Sequence, residues 1–78
     1  MAMNEKVKKA FETAFPEAKF EYNDDVLPEH VAGWDSLGHL NLVNALQTEF
    51  TVEFQVEEIM KMDSVKAIYG VLSERGLS

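Results

Sequence analysis

The chain contains no cysteine. Disulfides, thiolate metal ligands and cysteine nucleophiles are therefore all excluded. Basic residues are scarce: seven Lys and Arg stand against fourteen Asp and Glu, for a net charge of −7. A body this acidic repels nucleic-acid phosphates, which excludes nucleic acid as a partner and favours basic protein surfaces. Histidine occurs twice, with no spaced His/carboxylate pair, so no metal site is expected. Four Gly and two Pro are too few for a low-complexity or disordered chain. No apolar run is long enough to cross a bilayer and no signal-peptide pattern is present, so a cytoplasmic location without stable membrane insertion is the default expectation.

What is present suits one small globular domain: 78 residues, 46% hydrophobic and 27% charged. Apolar residues recur at helical spacing. Met3, Val7, Ala10, Phe11 and Ala14 form one stripe, with Asn4 as N-cap and Pro16 as the stop, predicting a helix over about 4–15. A long acidic loop follows to about residue 34, with Phe20, Tyr22, Val26 and Leu27 as apolar anchors and a short 3₁₀ turn near 27–30. Asp24 and Asp25 do not meet EF-hand spacing and read as solvated charge or a loose cation site. The pattern then predicts a helix over 36–50, with Leu42, Val43, Leu46 and Phe50 facing the core. Leu37 and Leu40 lie nearly opposite that stripe. An extended linker carries Phe54 into the core. A short helix over 56–61 turns Val56, Ile59 and Met60 inward, with Glu57 and Glu58 outward. Asp63 or Ser64 caps a last helix over about 65–75, with Val65, Ile68, Tyr69 and Leu72 inside and Gly76 as its stop. The expected fold is all-α: a small four-helix bundle with three longer helices, one short helix and a long first loop, in a single domain over 1–78.

Chemistry points to Gly33-Trp34-Asp35-Ser36-Leu37-Gly38-His39-Leu40. Asp35 is a good N-cap, and Ser36 falls at the first exposed position of the helix. Its hydroxyl is either part of the cap or an attachment point, since a helix start favours a phosphate. Asp35, Ser36 and His39 do not read as a catalytic triad: they crowd one helix start, with no cleft and no oxyanion hole, so no enzyme is expected. His39 reads as a partly buried, hydrogen-bonded residue or as the mouth of a ligand cavity. Trp34 reads as a loop anchor or a partner contact.

Gly33-Trp34-Asp35-Ser36-Leu37, followed by Leu42, Val43, Leu46 and Glu49-Phe50, resembles the acyl carrier proteins and the related peptidyl carrier domains. The resemblance spans nearly the whole chain, from first helix through acidic loop to last helix. It implies a non-enzymatic, monomeric carrier. Ser36 would bear a covalent 4'-phosphopantetheine arm, installed from coenzyme A by a phosphopantetheinyl transferase and ending in the thiol that the chain itself lacks. Asp35 and Leu37 would support the motif. Trp34, Leu37, Leu40, Asn41, Asn44 and Glu57 would meet the transferase and basic-surfaced acyl-loading and acyl-processing enzymes. His39, Val43, Leu46, Ile59, Met62 and Ile68 would line an acyl pocket. Carriers of fatty-acid synthesis usually show acids along the outer face of the second helix. Here that face carries Gly38, Asn41, Asn44, Gln47 and Thr48, which points to a specialised fatty-acid, polyketide, peptide or modified-lipid pathway. The alternative from the residues alone is a small helical adaptor that grips a partner through the Leu37/Leu40 face.

Overall fold

The computed structural model describes residues 4–19 and 25–77. Met3, Phe20, Tyr22 and Asp24 lie outside those residues. Among the described residues the chain is all-helical: α1 (Glu5–Ala14), a 3₁₀ turn (Pro28–His30), α2 (Ser36–Phe50), α3 (Val56–Lys61) and α4 (Val65–Glu74). The fold is the expected small bundle, with α1 against α2 as its principal pair and α3 against α4. No helix of the described residues is long and apolar enough to cross a membrane.

Local chemistry sets each boundary. The Asn4 side chain accepts from the Lys6 N–H at 2.8 Å, starting α1, and Phe15 ends it ahead of Pro16. The Asp35 carboxylate accepts from the Gly38 N–H at 2.9 Å, starting α2. Ser64, rather than Asp63, caps α4 by accepting from the Ala67 N–H at 3.1 Å. Gly76 takes φ +70°, and the Leu77 N–H reaches back to Leu72 O at 2.8 Å, the closing bond of a Schellman turn. Thr51, after α2, is a β-branched residue at φ 55°, where a glycine would be at ease.

One core joins the helices. Val7, Phe11, Leu42, Leu46, Met62, Val65, Ile68 and Leu72 are its fully buried members, and Phe54 plugs it as expected. The loop is tied on by the Val65 N–H donating to Val26 O at 3.1 Å, while Asp25 pairs with Lys66 at 3.4 Å. Asp25 is exposed, in keeping with its reading as solvated charge.

Several expectations need correction. Val56 and Met60 point outward, at 71% and 75% exposure; Met62, just past α3, fills the core instead. Glu58 is not a free outward acid. It takes a two-pronged contact from Arg75 on the far side of α4, with Arg75 Nε donating to Oε2 at 2.8 Å. In α4, Val71 is buried and Tyr69 only partly so, its hydroxyl accepting from the Asn4 N–H. Of the loop anchors, Val26 is buried but Leu27 is exposed.

Candidate functional site

The start of α2 is built around a close approach of two backbones. Gly33 sits at φ +94°, turning the loop into the helix. Gly38, one turn into α2, lies against that turn. A Cβ on Gly38 would come within 1.8 Å of Gly33 O and 2.9 Å of the Phe15 ring. Gly38 is therefore buried beneath the loop and not on the outer face where the wheel placed it. A glycine in the first turn of a helix costs about 1 kcal/mol relative to alanine. That cost, visible in the sequence, was the signal of a backbone contact.

Aromatic rings and one imidazole complete the support. Trp34 is 8% exposed and packs edge-on to Phe11, ring centres 5.2 Å apart. It is a loop anchor, and its place among the partner contacts is corrected accordingly. Its indole N–H donates to His39 Nδ1 at 3.0 Å, with the two rings nearly parallel. With Nδ1 accepting, the His39 proton sits on Nε2, which donates to Ile59 O at 2.8 Å. His39 is thus the hydrogen-bonded, partly buried residue of the first reading. It ties the loop, α2 and α3 together, and both ring nitrogens are engaged away from Ser36.

Ser36 is exposed, and among the described residues its hydroxyl has no hydrogen-bond partner. The capping role falls to Asp35, and the Ser36 hydroxyl is spare. The N–H groups of Ser36 and Leu37 also precede the intrahelical ladder, whose first bond runs from the His39 N–H to Asp35 O at 2.7 Å.

Around this hydroxyl, Leu37 and Leu40 are 69% and 53% exposed, and Asn41 and Asn44 are exposed further along α2. Glu57 is exposed in the first turn of α3. Val56 and Met60 belong with these apolar surface residues, although the sequence pattern put them inside. The six residues proposed for an acyl pocket do come together, but as packed core. Val43, Leu46, Met62 and Ile68 are buried, with Ile59 packed against them and His39 across the α2–α3 seam.

Among the described residues, the only carboxyl displaced well from its ordinary value is on α3, at Glu58. The Arg75 guanidinium, and then the Gln55 N–H, hold Glu58 down at about 2. Arg75 also lies over the Phe54 ring, 5.3 Å from its centre. Among the described residues, no three His, Asp or Glu side chains converge as a metal site would need. Comparison of the chain with protein-family profiles, with curated proteins and with solved structures finds no match.

Proposed function

We propose that this chain is a cytoplasmic carrier of acyl groups, modified on Ser36 with a phosphopantetheine arm. The observation that supports the reading is the division of labour at the start of α2. Asp35 satisfies the helix end, so the Ser36 hydroxyl is exposed and uncommitted on a rigidly seated turn. In the modification the Ser36 oxygen loses its proton, bonds to the phosphorus of coenzyme A and displaces the nucleotide half. The N–H groups of Ser36 and Leu37 and the positive end of α2 would favour the negative charge of a phosphodiester on Ser36. The group supplies a thiol for thioester formation, which a chain without cysteine cannot. Leu37, Leu40, Val56 and Met60 offer apolar contacts to the enzymes that dock, and the charge of −7 steers them when their surfaces are basic.

Intact-mass measurement after incubation with coenzyme A and a broad-specificity transferase tests this. The expected outcome is a gain of one phosphopantetheine by the native chain and none by Ser36→Ala, at unchanged thermal stability. Absence of the gain, or its persistence in Ser36→Ala, overturns the reading.

The exposed Leu37 and Leu40 also favour a second reading, an adaptor that binds a partner helix through their face without modification. In that case Ser36→Ala leaves partner binding intact and Leu40→Asp abolishes it.

A further inference from the structure

The neutral face of α2 has a use besides the enzyme contacts that the carrier resemblance gives Asn41 and Asn44. Asn41, Asn44 and Thr48 are exposed in a row on a chain otherwise rich in acids. They form one wall of a trough. A depression of ≈ 570 Å³ is lined by Asp35 and Leu37, the chain neighbours of Ser36, by Ala14 and Asn41, and by Pro16 and Glu17 just after α1. A second, of ≈ 370 Å³, continues from Ala14 and Asn41 to Ala45 and Thr48. The shared residues join them into one channel along the seam between α1 and α2. Both are open to the surface, as a groove for an extended chain is. Ala14 and Ala45, partly buried, give a low apolar floor, while Asn41, Asn44 and Thr48 give an amide and hydroxyl rim.

Length and chemistry match one occupant. From Leu37 to Thr48 the helix is ~16 Å long at its normal rise. A pantetheine chain, from phosphorus to sulfur, has about as many backbone atoms as four to five peptide residues, ~16 Å when extended. It carries two amides and a hydroxyl, which suit the rim, and geminal methyls, which suit Leu37 and the alanine floor. The opposite side of α2 is obstructed: the His39–Ile59 bond closes the seam with α3, and Leu46, Met62 and Ile68 are packed behind it.

We propose that the α1–α2 trough is the resting site of the arm borne on Ser36, with Asn41 and Asn44 supplying the amides that pair with it. This rests on the carrier reading. It gives the neutral face a ligand of its own and leaves Leu40, outside the trough, free for enzymes.

The test uses ¹⁵N-labelled protein before and after loading with phosphopantetheine, with loading verified by intact mass. Amide shift changes are expected at Ala14, Asn41, Asn44, Ala45 and Thr48. In an Asn41→Ala/Asn44→Ala variant, also verified as loaded, each lost hydrogen bond should lower the trough-bound equilibrium about fivefold. Shift changes confined to 35–39, or falling on Ile59, Met62 and Ile68, overturn the trough while the carrier reading stands. Trough shifts of full size in the double variant overturn the role of the two amides. A chain that takes no phosphopantetheine overturns the carrier reading and this proposal with it.

Discussion

At its start α2 is fastened from several directions. Gly38 rests on the Gly33 carbonyl, Asp35 takes the Gly38 N–H, and His39 reaches both Trp34 and Ile59 O. At its end the same helix stops on a residue in an unfavourable conformation, Thr51 at φ 55°. There the chain is led away by the Phe54 N–H donating to Gln47 Oε1 at 2.9 Å, and by the charged contact of Arg75 with Glu58 beyond. The difference shows where conformational freedom has been removed. The well-fastened end surrounds the uncommitted Ser36 hydroxyl; the end that tolerates strain surrounds nothing chemical. A residue that must be recognised by another enzyme gains from a fixed frame, because less ordering remains to be done on binding.

The largest effect should come from breaking the first frame at its closest contact. Gly38→Ala places a methyl carbon within 1.8 Å of the Gly33 carbonyl oxygen, backbone that cannot rotate away. The loop or the helix start must shift, at a cost of about 2–3 kcal/mol by analogy with overpacked cores. For a domain of this size that lowers the thermal midpoint by roughly 10–20 °C. Gly70→Ala is the control: a Cβ there meets nothing within 4 Å, and α4 should gain about 0.5–1 kcal/mol. Equal midpoints for the two variants would remove the argument that Gly38 marks a backbone contact.

The bundle and the bounds of α2 were legible in the sequence because each rests on local signals. Asp35 caps, Phe50 is the last apolar residue of the stripe, and Leu42, Val43 and Leu46 keep helical spacing over several turns. The orientation of α3 was not legible. Six residues give fewer than two turns, so periodicity has little to average over, and Val56 and Met60 were drawn inward by spacing alone. What sets that helix is long-range: Ile59 O bound by His39, and Glu58 held by Arg75. Trp34 stayed open for a related reason. A tryptophan beside an exposed serine fits either a partner contact or the core, and only Phe11 and Phe15, brought from α1, decide for the core. At the site, the sequence placed Ser36 at the helix start. That Asp35 alone does the capping follows from side-chain geometry.

Relieving the strained end should have a smaller effect of opposite sign. Thr51→Gly removes the left-handed cost of a β-branched residue, of order 1–3 kcal/mol, against the greater freedom glycine has in the unfolded chain. The net expectation is a gain of about 0.5–1 kcal/mol, read as a rise in thermal midpoint of several degrees. Phosphopantetheine transfer to Ser36 should be unaltered, since Thr51 lies at the other end of the helix. A fall in stability would mean that the Thr51 conformation is supported by contacts that offset its strain.

The smallest effect sharpens the contrast by acid. Glu58 is held down from 4.5 to about 2, first by Arg75 and then by the Gln55 N–H. A carboxyl with a depressed folded value stabilises fully above its unfolded value and loses that contribution as pH falls through the folded one. The Glu58 contact should therefore stabilise at neutral pH, weaken as pH drops below 4.5 and be gone below about 2. Arg75→Met keeps an apolar side chain near Phe54 and removes the guanidinium. Its stability should decline less steeply than that of the native chain across this window, with the two curves meeting at the acid end. Because both side chains are near solvent, salt should narrow the gap between the curves at neutral pH. Amide shifts followed through the same titration should then respond to the substitution at Gln55, Glu58 and Phe54, with the amides at the start of α2 unaffected by it. If the native and Arg75→Met curves instead run parallel from neutral pH to 2, the ion pair does not hold α3 against the end of α4. The orientation of α3 would then rest on the His39 bond to Ile59 and on packing.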